Sequence, residues 1–359
     1  MWADNPNRKK FYTTNQGCDV VTVFDAATSL QMRYIKIGAS PQIESPHMIK
    51  ISPDGQYWYA SFSNSGTVLE KHRTSDDSYV GQINLGIGLW NTFTITSDSK
   101  KAFVVDWESD GKILYVDLEN LKVITTYSGA GLFAYPHGSA VNSTGTTLYV
   151  TAQYGNFIYK IDVTDPLNPN INLVTLDDSG VASTAHSLDP HDIAFAPDDT
   201  LGLYYFVTCE YSNEVRVMQV SNDQLVATVN TGHYPQEMSF SKTKQYLFVS
   251  CMYDSTTTET RGSVSAISYA LNQSVGPPVN LIPLANIKNK IAEPHGIGVD
   301  DNKGLVYVAN RNLDGPLPHH TTSCAGKIGF VSFIDMNTLT THSKTEEVAV
   351  DPYSIAVRK

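Results

Sequence analysis

Glu293-Pro294-His295-Gly296-Ile297-Gly298-Val299, a polar turn Asp300-Asp301-Asn302-Lys303-Gly304, and then Leu305-Val306-Tyr307-Val308-Ala309-Asn310 form the phrase whose reading decides the fold. It is a short apolar strand, a turn and an aromatic-rich strand, and the same phrase returns along the whole chain. Aligned on the residue that opens the apolar strand, the copies start at His47, Asn91, His137, His191, Gln236, His295 and Tyr353, with spacings of 44, 46, 54, 45, 59 and 58 residues. Each copy offers four strand-like runs. In the copy that starts at His47 they are Met48–Ile51, Tyr57–Phe62, Thr67–Lys71 and Val80–Leu85. Ser52-Pro53-Asp54-Gly55 supplies the first turn, because Pro fixes φ and Gly accepts positive φ.

The two ends complete one another. Phe11-Tyr12-Thr13-Thr14-Asn15 reads as a second strand, and Tyr353-Ser354-Ile355-Ala356-Val357 reads as a first strand. Pairing the tail with the head makes a seventh four-stranded sheet and removes exposed sheet edges. The expectation is an all-β, seven-bladed β-propeller over residues 10–359, with residues 1–9 outside it. The first strands alternate large residues (Ile49/Ile51, Phe93/Ile95, Ile297/Val299) with small or polar ones (Gly138/Ala140, Gly296/Gly298, Ser354/Ala356). A period of two puts these sets on opposite faces, so neighbouring blades can interdigitate.

Composition agrees and limits function. Charged residues make up 17% of the 359, the net charge is -11, and the one basic cluster is Arg8-Lys9-Lys10, so nucleic acid is not an expected partner. No run of about 18 apolar residues is present to span a membrane. Met1-Trp2-Ala3-Asp4 lacks the apolar core of a signal peptide. The start is then either a cytoplasmic one or what remains after processing. The Lys-poor composition favours the second, an exported monomer that is periplasmic, at the cell surface or secreted, with membrane attachment open to its full-length form.

Phe11-Tyr12-Thr13-Thr14-Asn15, Val20-Val21-Thr22-Val23-Phe24-Asp25, Tyr149-Val150-Thr151, Phe206-Val207-Thr208-Cys209 and Tyr307-Val308-Ala309-Asn310 resemble the YVTN repeat. The resemblance spans essentially the whole chain and implies an exported or surface-attached seven-bladed propeller. Similar propellers also carry copper or quinone chemistry, as in nitrous oxide reductase and the methylamine dehydrogenase heavy chain. A shared fold does not carry an activity with it.

In such a ring the loops entering the first strands and those leaving the second strands share one face. His47, His137, His191 and His295 should therefore gather at one mouth of the central channel. Asp106-Trp107-Glu108, Gln153-Tyr154, Cys209-Glu210-Tyr211, Cys251-Met252 and Asn310-Arg311-Asn312 should join them. Trp107, Gln153, Tyr154, Glu210, Tyr211, Arg311 and Asn312 are the candidate ligand-binding residues. The four histidines, with His319 and His320 of the long 310–326 loop, are candidate ligands for copper or zinc. A structural role competes with that reading: each strand-leading side chain could hydrogen-bond the backbone of the next blade, and Asn91, Gln236 and Tyr353 could do the same.

Two function classes follow. One is a non-enzymatic propeller that binds a small ligand or protein partner through the His- and aromatic-rich face. The other is a metal-dependent oxidoreductase or metal-binding protein. No nucleophile elbow or phosphate loop is present. Asp106, Glu108 and Glu210 leave a carboxylate pair as a distant third possibility. Cys18 and Cys324 fall in corresponding loops of adjacent blades, where a disulfide would clamp the closure in an oxidising compartment. Cys209 and Cys251 read as small buried hydrophobes.

Overall fold

Short runs rich in Val, Ile, Thr, Tyr and Phe, cut by Asp, Gly and Pro, can bury their apolar surface only by stacking as sheets. The computed structural model describes residues 8–38, 43–64, 66–254, 261–271, 279–313 and 324–358 and holds 29 strands, with no helix among those residues. They form seven antiparallel sheets arranged as a seven-bladed β-propeller. Blade 1 consists of Lys10–Asn15, Val20–Asp25 and Leu30–Lys36, with Pro352–Val357 as its innermost strand. Blades 2 to 7 begin at Pro46, Thr92, Pro136, Pro190, Pro235 and Pro294. In blade 7 the outer position is divided between Thr340–Thr341 and Glu346–Val350, both paired with Ile328–Asp335.

Closure follows the expected pairing: Phe11 lies opposite Val357, Tyr12 opposite Ala356 and Thr13 opposite Ile355. The core is divided into seven apolar clusters among the described residues, one at each blade–blade interface. The closing interface has its own, in which Phe11 stacks on Tyr307 (4.0 Å) and Phe24 (4.3 Å).

Hydroxyls join the blades. The penultimate residue of a second strand donates to the backbone carbonyl of the channel residue one blade on: Thr14 to His47, Ser61 to Asn91, Thr151 to His191, Thr208 to Gln236 and Ser250 to His295. In blade 3 the equivalent position is Val105, and Thr92 of the first strand bonds the His137 carbonyl instead. The Thr of the recurrent Tyr-Val-Thr string is thus a latch between blades, in addition to the one that the sequence reading gave to the imidazoles. The His137 imidazole also reaches the next blade, with Nδ1 3.2 Å from the His191 carbonyl oxygen.

Close approach explains the glycines after two channel histidines. A Cβ on Gly138 would sit 2.3 Å from the His191 carbonyl oxygen, and one on Gly296 would sit 2.4 Å from that of Tyr353. Gly296→Ala must push two blades apart at the backbone. It should cost about 1–3 kcal/mol, checked by denaturant unfolding; Gly145→Ala is no control, since φ there is +73°.

Cys18 and Cys324 form a disulfide with Cα atoms 4.5 Å apart, joining blades 1 and 7 beside the closure. Cys209 and Cys251 are free and buried, each within an apolar cluster. Replacing both bridged cysteines with serine should lower stability by about 2–4 kcal/mol. The check is the denaturation midpoint with and without reductant; reductant should shift the wild type alone.

Candidate functional site

A repeated local device builds the mouth. In six blades a non-glycine residue at positive φ stands directly before a proline: Ser45 (56°), Tyr135 (46°), Asp189 (53°), Tyr234 (60°), Glu293 (51°) and Asp351 (60°). Its carbonyl accepts a hydrogen bond from the first residue beyond the second strand, as Tyr135 does from Gln153 and Asp189 from Glu210. The residue after the proline is the channel residue. In blades 2, 4, 5, 6 and 7 the register shifts there, between Pro46 and Ile49, Pro136 and Ser139, Pro190 and Ile193, Pro235 and Met238, and Pro294 and Ile297. Such a bulge re-aims a side chain. The histidines therefore leave the large-residue face expected from strict alternation and turn to the axis.

Four imidazoles meet there, all buried. Ring centroids are 5.8 Å apart for His47–His137, 4.2 Å for His137–His191, 5.3 Å for His191–His295 and 6.1 Å for His295–His47. Tyr353 stacks on His295 at 3.6 Å. Burial pulls the His137 imidazole down to about 4. It takes His191 well below the ordinary histidine range, with His137 adding to the effect. As a metal site the cluster is poorly arranged. The His137 and His191 rings lie face against tilted face, and no group of three or more His, Cys, Asp or Glu among the described residues is placed to hold an ion.

A polar chain links this cluster to the surface. Trp107 Nε1 donates to Gln153 Oε1, Gln153 Nε2 donates to Glu210 Oε2 (3.1 Å), and Gln236 Nε2 donates to Glu210 Oε1 (2.7 Å). Glu210 Oε1 also lies 3.6 Å from His191 Nε2. Burial pushes the Glu210 carboxyl up to about 8, despite the two amide donors. Above it the half-buried rings of Trp107, Tyr135 and Tyr154 pack at 4.7–5.7 Å, and exposed His186 stands 4.5 Å from Tyr154. Tyr211 is 62% exposed. Across the mouth Tyr234 meets Tyr253 at 5.1 Å, and the Arg261 guanidinium lies over Tyr253.

Trp107, Gln153, Tyr154, Glu210 and Tyr211 thus fall in one neighbourhood. Arg311 does not present itself there: its buried guanidinium holds the Asp351 carboxylate through Nε (2.5 Å) and a terminal nitrogen (3.1 Å). Asn312 is half-buried and donates to the Ile328 carbonyl. His319 and His320 lie outside the described residues. Sequence reasoning missed Tyr135, Tyr234 and His186. The signal for the first two was the residue before each Pro-His or Pro-Gln, which the strained turn lifts to the rim.

No family model matches the chain, and no curated protein is similar to it. Solved structures do resemble it. A functionally unknown protein from Desulfotomaculum acetoxidans shares 13% identity over 97% of this chain and 98% of its own, with a TM-score of 0.71. A protein described as a 6-phosphogluconolactonase candidate from Bacteroides uniformis shares 13% identity over 98% and 100%, with a TM-score of 0.69. The β-propeller domain of Swd1 from Myceliophteria thermophila shares 7% identity over 90% and 92%, with a TM-score of 0.68. At such identities the likeness shows the fold alone.

Proposed function

We propose that the protein is an exported, non-enzymatic propeller of the YVTN-repeat type that binds a protein partner, or failing that a small ligand, through the aromatic mouth. The observation that carries this is the cluster of Trp107, Tyr135, Tyr154, His186 and Tyr211 standing half- or fully exposed on a rigid rim. Large rings lose little rotamer entropy on binding and dominate contact energies at interfaces. The buried chain from Trp107 to Glu210 fixes the rim from below. Export accords with the Cys18–Cys324 disulfide.

The test compares immobilised wild type with a Trp107→Ala/Tyr154→Ala/Tyr211→Ala variant in extracellular extract of the native source. At least one species should be retained by the wild type and lose tenfold or more in affinity for the variant. Equal retention of every species would end the proposal.

A second reading, copper or zinc at His47, His137, His191 and His295, is favoured by the closeness of the four rings. His137 can keep Nδ1 on the His191 carbonyl and offer Nε2, which has no hydrogen-bond partner. Elemental analysis of protein purified without tags or chelators discriminates. A metal-free protein whose melting ignores added copper and zinc removes this reading.

A further inference from the structure

Below the histidine layer the channel widens into a cavity of about 430 Å³ between blades 1, 2, 5, 6 and 7. Its wall is polar and apolar in nearly equal measure, with Ile49, Ile193, Met238, Ile297 and Ile355 among its apolar lining. Into this wall three charged groups are set: Lys50 on blade 2, and Asp192 and Glu237 on blades 5 and 6, which stand across the ring. The lining continues to Ile51, Ala194 and Val357 at the far ends of their strands, all half-buried, so the cavity opens on the face opposite the aromatic mouth.

Opposite charges face one another there without touching. Among the described residues Lys50 makes no ion pair within 4 Å, although it feels the charges of Asp192 and Glu237. Asp192 is fixed by the backbone, accepting from the Ile193 and Met238 amides at 2.9 and 3.1 Å. Glu237 is 8% exposed; the Ile297 amide and the Ser354 hydroxyl hydrogen-bond its carboxyl, while Oε1, which has no hydrogen bond of its own, lies 3.5 Å from His295 Nδ1. A buried carboxylate oxygen left in this state carries a desolvation cost that a donor would relieve.

We propose that this cavity is a second binding site, taking a small zwitterion whose carboxylate meets Lys50 and whose ammonium meets Glu237 and Asp192. An ion pair that the channel is too wide to close is completed by a molecule carrying both charges, while its methylene chain lies on the isoleucine wall. The volume falls in the usual range for small-molecule sites, about 300–1,000 Å³. Burial, with Asp192 adding to it, pushes the Glu237 carboxyl up to about 8, and burial pulls the Lys50 amine down. Charging either group in this cavity is costly, and a ligand of opposite charge would offset that cost. A simple anion would satisfy Lys50 alone and stand against two carboxylates; a simple amine would do the reverse. The site is separate from the aromatic mouth, so its failure leaves the partner-binding reading untouched.

The probes are the linear ω-amino acids from glycine to 6-aminohexanoate, titrated calorimetrically into the full chain, with butylamine and butyrate as single-charge controls. One chain length should bind best, at least tenfold more tightly than either control. Lys50→Met and Glu237→Gln should each weaken that binding tenfold or more while the melting temperature shows both variants folded. Should Lys50→Met fail to fold, Lys50→Arg replaces it and should retain binding with a shifted chain-length optimum. Should Glu237→Gln fail, Glu237→Asp replaces it with the same expectation, and an unshifted optimum in either would overturn the site. No binding by any member, binding as tight by butylamine or butyrate, or binding unchanged in folded Lys50→Met or Glu237→Gln protein would overturn the site.

Discussion

Replacing Arg311 with methionine should lower the unfolding free energy by about 3–5 kcal/mol, because it strands a buried carboxylate. Arg311 is 3% exposed and Asp351 fully buried. Arg311 follows the second strand of blade 7, and Asp351 directly precedes the strand that closes the ring. Their two-pronged contact therefore pins the tail of the chain at the point where the propeller shuts. A paired Arg311→Met/Asp351→Asn change should recover much of the loss, since it removes the charge along with its partner. Denaturant midpoints of the three variants check this. A loss below about 1 kcal/mol for Arg311→Met would place the pair in solvent, where ion pairs contribute little.

Stability should also fall on both sides of mildly acidic pH, and Glu210→Gln should flatten the alkaline side. Burial raises Glu210 from 4.5 to about 8, so the folded chain keeps a proton that the unfolded chain has released. The contribution of this group is complete below about pH 4.5 and is lost as pH rises through about 8. Glu237, also pushed up to about 8, adds to the same alkaline loss. His137 acts in the opposite direction. Lowered from 6.5 to about 4, it binds fewer protons when folded, so acidification from pH 6.5 towards 4 removes stability. At pH 9 the Glu210→Gln protein should exceed wild type by about 2 kcal/mol or more. The buried Gln236 Oε1, which has no hydrogen-bond partner, offers the substituted amide an acceptor. Thermal melts from pH 5 to 9 read the difference, and parallel curves for the two proteins would contradict the assigned burial.

The blade count, the closing pair and the disulfide were legible because each depends on regularities the chain repeats. Turn residues mark strand ends, the small–large alternation of the first strands sets blade stacking, and Cys18 and Cys324 fall in corresponding loops. The aim of the histidines was not legible. Alternation from Ile49 and Ile51 puts His47 on the same face, but the register shift between Pro46 and Ile49 breaks that inference. Nothing in a period of two announces a bulge. The hydroxyl latch was not legible either: the recurrent Thr before the strand end donates to a carbonyl one blade away, a partner that no local spacing reveals. Arg311 carried the chemistry of an anion binder, but only the fold brings Asp351, 40 residues on, against it. Lys50, Asp192 and Glu237 escaped notice because they belong to three blades and to no local motif.

Site-specific photo-cross-linking tests most directly whether the aromatic mouth is the working face. A photoreactive phenylalanine analogue is placed at Tyr211, 62% exposed at the mouth, or at Tyr79, 53% exposed on the outer strand of blade 2. Each protein is then irradiated in its native extracellular medium. A discrete adduct from position 211, absent from position 79, is the result expected. Adducts from position 79 with none from 211 would contradict the assignment of function to the mouth.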